Sequence, residues 1–173
     1  IASVEARLEG VRARGARQEE ARLRGELAGL KAQSGNVRAA LVELKEAWQL
    51  LSEEKDLQAS VTLAATLLDL PYDFAPGLLL QCEEQAEEVL ATIDDPDLQV
   101  CARFVLLLVA MHRQRFAEVV ERAERIISSG RQQLRYAAHA YAARAELEEG
   151  DLDGALEHTR GALQAALLPP QRY

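Results

Sequence analysis

Breakers and bridge-formers are scarce in this chain of 173 residues, which holds two Cys, five Pro and one Trp. Two cysteines, Cys82 and Cys101, fall in separate expected helices; one disulfide is open to them, and the preferred reading is two reduced, buried small hydrophobes. β-Branched residues are sparse and strand-like alternation is missing, so no sheet is expected. The longest apolar run, Phe104 to Met111, is far short of the roughly 20 residues that span a bilayer, and no signal peptide is visible, so no membrane partner is expected. Basic charge is also lacking. A net charge of −8 and a pI near 5.0 argue against general nucleic-acid affinity. What is present is 49% hydrophobic and 28% charged residues, a balance that excludes a wholly disordered chain and suits helices rich in Leu, Ala, Glu and Arg. The chain opens at Ile1, as expected of a fragment of a larger protein or a processed product, and a cytoplasmic setting fits the reduced cysteines.

Two segments repeat one design. Leu23–Leu50 and Tyr136–Leu163 each read as two helical patterns hinged on a Gly–polar pair, Gly35–Asn36 and Gly150–Asp151. After each hinge comes Ala–Leu (Ala40–Leu41, Ala155–Leu156), then a further Ala seven residues on (Ala47, Ala162). Apolar stripes at helical spacing, Leu23/Leu27/Leu30 and Leu41/Leu44/Trp48/Leu51, mark the faces to be buried. Asn36, Asp56 and Asp95 are N-cap types, Pro76 and Pro96 suit a first helical turn, and Leu98–Met111 is apolar nearly all round, as in a helix at the centre of an assembly. The fold class expected is all-α: an N-terminal helix or half-repeat over 1–18, helix pairs over about 19–53, 56–93, 96–129 and 132–168, and a tail over 169–173. The third pair has Gln114–Arg115 in place of the Gly hinge, and the second has the loop Pro71–Gly77.

The first and last pairs resemble tetratricopeptide repeats (TPR) at Gly35, Asn36, Ala40 and Ala47, and at Gly150, Asp151, Ala155 and Ala162. The inner pairs depart from that pattern, and Ala28 and Ala143 stand where the family's helix-packing Gly would be. The resemblance implies an α-solenoid of about four antiparallel helix pairs whose first helices line a concave wall. In that register Gly25, Gly29, Phe104, Leu108, Ala140 and Arg144 face the concave side. Gly25 and Gly29 replace the polar set with which the family grips a C-terminal carboxylate, so an apolar face of a partner helix or peptide is the expected occupant.

No chemistry stands out. Cys82, Cys101, His112, His139 and His158 lack the close spacing of metal ligands, the serines sit mostly at helix ends, and no Gly-rich phosphate loop follows a strand. No catalytic residue, metal or cofactor is expected, and the chain is not read as an enzyme. The acidic run Glu83, Glu84, Glu87 and Glu88 reads as a solvated face. The N-terminal Arg7, Arg12, Arg14, Arg17, Arg22 and Arg24 read as surface ion pairs with neighbouring glutamates. The function expected is a protein–protein interaction module, scaffold or regulatory segment, with Phe104, Leu108 and Arg144 as groove contacts. Two rival readings remain. One is a ligand-sensing domain of a bacterial-type transcriptional regulator, with Tyr72 and Phe74 on a lid. The other is a homo-oligomerisation segment pairing through the 98–111 helix or the last helix.

Overall fold

The computed structural model describes residues 1–69, 74, 76–129 and 132–167, among which lie nine α-helices and no strand. They form two compact units, Ile1–Pro71 and Tyr72–Tyr173. The first holds α1 (Ala2–Arg14), α2 (Arg17–Gln33), α3 (Val37–Glu53) and α4 (Leu57–Leu68); the second holds α5 (Pro76–Thr92), α6 (Pro96–His112), α7 (Phe116–Ser128), α8 (Gln132–Glu149) and α9 (Leu152–Leu167). Within each unit every helix packs on the next in sequence, and α6 also meets α8. The division falls between α4 and α5, the two helices that the sequence reading places in one pair. Tyr72, Gly130 and the 169–173 tail lie outside the described residues. No described helix is long and apolar enough to cross a membrane.

One turn geometry recurs. At Gly15, Gly35, Lys55, Gln114 and Gly150 the backbone is left-handed, with φ of 68°, 82°, 57°, 57° and 84°. Each of these residues donates its N–H to a carbonyl three residues back. The next residue then donates to a carbonyl five back, as in Asn36 to Lys31 (2.9 Å), Asp56 to Leu51 (3.1 Å), Arg115 to Ala110 (3.0 Å) and Asp151 to Glu146 (2.9 Å). This Schellman pairing satisfies carbonyls that a helix end leaves open, and glycine is its easiest occupant. Gln114 therefore supplies the hinge for which the sequence offers no glycine, and Lys55 supplies another. In the first unit the three hinge positions 15, 35 and 55 recur at equal spacing. Side-chain caps reinforce the restarts. Asn36 accepts from Ala39 N at 3.2 Å, Asp56 from Ala59 N at 3.1 Å, and Asp95 from Asp97 N and Leu98 N at 2.9 and 3.2 Å.

The N-terminal segment does not continue into the next helix. α1 stops at Gly15 and buries Val4, Leu8 and Val11 against Leu23 and Leu27 of α2. A second cluster joins α2 to α3 through Ala21, Ala47 and Leu51, with Ala59 and Leu63 of α4 against it. In the second unit α6 is the centre. Residues Phe104 to Ala110 are buried without interruption, and each large apolar side chain so enclosed contributes roughly 1.5–3 kcal/mol. Cys82 is buried on α5, and burial pushes its thiol pKa up to about 12; neither cysteine is in a disulfide.

Candidate functional site

The basic N-terminal segment sorts itself by pairing. Arg12, Arg14 and Arg17 reach Glu20 (2.9 Å), Glu19 (3.4 Å) and Glu54 (3.3 Å), and Arg7 lies 3.9 Å from Glu26. Arg24 is no surface residue at all: it is 5% exposed. Its Nε donates to Glu20 Oε1 at 3.0 Å and its Nη1 to Glu43 Oε2 at 2.7 Å, with Glu46 also in contact. Lys31 Nζ donates to the other oxygen of Glu43 at 2.7 Å. Three cations and three carboxylates thus close a network across α1, α2 and α3, and the hydrogen bond to Glu20 raises the Arg12 pKa further. The sequence expectation of surface pairs is corrected at Arg24. A network of this kind specifies how helices sit more than it adds net stability.

Arg22 is the exception. It is exposed, has no ion pair among the described residues, and lines an open cleft of about 550 Å³ between α2 and α4. Gln18, Ala21, Arg22 and Gly25 line it from α2 and Gln58, Ala59, Thr62, Leu63 and Thr66 from α4, with Leu51 of α3 and the α4 cap Asp56 completing the lining. Asp56, the only acid in this lining, is engaged as the α4 cap, and Thr62 Oγ1 donates to the Gln58 carbonyl at 2.8 Å. The volume lies within the range of ligand clefts. The floor is apolar, the rim offers amide and hydroxyl groups, and one guanidinium is free.

A second cleft, of about 400 Å³, lies in the other unit and is lined by Glu87, Leu90, Ala91, Arg103, Leu106, Arg122 and Arg125. Two of its three arginines are already answered by carboxylates, and Arg103 reaches only Gln99, at 3.5 Å. Arg122 pairs with Glu118, whose pKa its hydrogen bond lowers, and Arg125 pairs with Glu121. Of the acidic run, Glu84, Glu87 and Glu88 are exposed, while Glu83 pairs with Arg113 at 2.6 Å.

The residues expected to line a groove are not gathered in one place. Phe104 is buried with its ring 6.0 Å from that of Tyr141, and Leu108 is buried in α6, so a partner reaches neither without unpacking the helix. Arg144 and Ala140 are exposed on α8, and Gly25 lines the α2–α4 cleft. Phe74 is buried edge-on against His112 with ring centres 4.9 Å apart. Tyr72 lies outside the described residues.

The α8–α9 contact holds a cluster with no signal in the sequence. His139 Nδ1 and His158 Nδ1 stand 3.0 Å apart, and His158 Nε2 lies 3.6 Å from Glu146 Oε1. A bond between two like ring nitrogens requires one to donate and the other to accept, so the pair holds a single proton there. Burial, then the neighbouring His158 charge, then Arg135 lower the His139 pKa; burial raises that of Glu146. Gly161 makes the approach feasible, because a Cβ there would stand under 3.0 Å from three atoms of the His139 ring. Among the described residues no three His, Cys, Asp or Glu side chains gather as a metal set.

The chain matches no protein-family model and no curated protein. Its site is therefore read from geometry alone.

Proposed function

We propose that the chain is a non-catalytic protein-interaction module in which the α2–α4 cleft takes a peptide segment of a partner, with an acidic group set against Arg22. The observation that carries this reading is the unpaired guanidinium of Arg22 on the wall of an open, apolar-floored cleft, in a segment whose other arginines are matched. Gln18, Gln58, Thr62 and Thr66 supply the donors and acceptors that fix a peptide backbone, and Ala21, Ala59 and Leu63 supply the apolar floor. The TPR-like reading is supported by the recurrent left-handed hinges and by cleft walls drawn from two alternate helices, with α3 joining them. This cleft replaces the Phe104–Leu108 surface as the place where binding is sought.

Selection of a random peptide display library on the native protein tests the proposal. Enriched peptides are expected to share an acidic side chain or to depend on their terminal carboxylate, and Arg22→Glu is expected to weaken them on the order of tenfold or more. Peptides that bind the Arg22→Glu protein as tightly as the native one, or no enrichment at all, count against it.

A further inference from the structure

The last helix has two apolar faces, and only one is used. Ala155, His158, Ala162 and Ala165 turn inward, and the small residues among them let α9 lie close on α8. On the opposite side Leu152, Leu156, Leu163 and Leu167 are 70%, 49%, 60% and 83% exposed. With 3.6 residues per turn these four side chains fall within a strip about 60° wide along the whole helix. A stripe so narrow is the width of a helix–helix seam rather than of a core-facing side. A continuous row of exposed leucines on a charged protein calls for cover.

Two features of the stripe identify what covers it. Its spacing is four, seven and four residues, which reads the same from either end. A pair of α9 helices related by a two-fold axis beside Thr159 and Arg160 therefore sets Leu152 against Leu167 and Leu156 against Leu163, twice over. That is the self-complementarity an isologous contact requires. The charges choose the direction. Asp151, Asp153 and Glu157 occupy the first half of the segment, whereas Gly161–Leu167 carries no charge. A parallel pair brings acid against acid; an antiparallel pair sets each acidic half against a neutral one and opposes the helix dipoles favourably.

We infer that the leucine face of α9 is a self-association surface whose occupant is the α9 of a second copy of this chain, packed antiparallel. The other surface suggested by the sequence, the 98–111 helix, is buried within its own unit and is not free to pair.

Sedimentation equilibrium from about 1 µM to about 500 µM tests the inference, that span covering the affinities of small interfaces. A concentration-dependent dimer is expected, and Leu156→Glu/Leu163→Glu is expected to weaken it roughly a hundredfold or more. These side chains are exposed, so the fold should tolerate the change, which circular dichroism checks. Direction is read separately by mild oxidation, with the native protein as control for Cys82 and Cys101. Thr159→Cys, beside the axis, should cross-link to its own copy, and Leu152→Cys, far from it, should not. A native protein that stays monomeric throughout, whether because a different chain or nothing covers the stripe, overturns the inference. A dimer indifferent to the double Glu variant overturns it too. Self-cross-linking of Leu152→Cys, with or without that of Thr159→Cys, overturns the antiparallel arrangement.

Discussion

The two units solve the same problem with different materials. The first brings three helices together around charge, with Arg24 enclosed by Glu20, Glu43 and Glu46 and apolar clusters on either side. The second is organised around one helix, α6, whose residues Phe104 to Ala110 are all buried, and finishes in a hairpin of alanines, glycines and two histidines. An ion network is directional: each charge must meet its partner, so helix register is fixed by geometry. An apolar centre is forgiving of direction and depends on volume. The unit held by charge carries the open cleft with the spare arginine. The unit held by apolar packing carries the uncovered leucine stripe.

The largest expected effect breaks the first unit at its charged centre. Arg24→Ala removes the cation that joins Glu20, Glu43 and Glu46, leaving only Arg12 and Lys31 to answer three carboxylates, and is expected to cost about 3 kcal/mol, whereas Arg24→Met combined with Glu43→Gln should cost far less. Denaturant unfolding of both proteins checks this. Equal losses would mean that the network acts as packing, and the contrast between the units would dissolve.

A smaller effect asks whether the hinges of the two units are equivalent. Lys55 in the first and Gln114 in the second hold the same left-handed φ of 57°. Glycine relieves that conformation, so Lys55→Gly and Gln114→Gly should each stabilise by about 0.5–1 kcal/mol. Thermal unfolding of the two variants sharpens the comparison. A gain at one and a loss at the other would show that the turns differ in what they demand.

The smallest effect is one of pH. All three histidines, His112, His139 and His158, lie in the second unit. The folded-state pKa of His139 is lowered, chiefly by burial and then by the neighbouring His158 charge. The unfolded chain therefore binds this proton more readily, and stability is lost as pH falls through the imidazole range, from about 6.5 downward. Glu146 works in the opposite sense: its raised pKa means that protonation favours the folded state, which offsets part of the loss at lower pH. The other charges bearing on these groups are Arg135 on α8, Glu124 on α7, Asp151 in the turn and Glu157 on α9. Hydrogen exchange at pH 7.5 and 5.5 should show α8 and α9 loosening while α1 to α4 keep their protection. Uniform loosening would sink the distinction.

Much of the framework is legible in the residues because local chemistry dictates it. Gly35 and Gly150 take the conformation that suits glycine, Asn36, Asp56 and Asp95 cap the helices they precede, and an all-apolar helix goes to the middle. Lys55 and Gln114 are illegible as hinges because nothing in a lysine or glutamine announces a left-handed backbone; only the hydrogen bonds around them reveal it. Arg24 misleads for a related reason, since a buried arginine and a solvated one look alike until their partners converge from other helices. The site was harder still. Phe104 and Leu108 carry the apolarity expected of a groove, but a core has the same signature, and burial decides between them. The α2–α4 cleft is lined by Gln, Thr, Ala and Gly, residues that contrast with nothing around them. The leucines of α9 recur at helical spacing, yet periodicity does not say whether a stripe is covered.

The missing methyl at Gly161 reaches further than its size suggests. By leaving a notch under the imidazole of His139, it lets two rings on neighbouring rods share one hydrogen, and so ties a proton to the spacing of the hairpin. Adding a single carbon at that notch would part the rings and take away the share of the hairpin's acid response that His158 imposes, leaving the larger share set by burial.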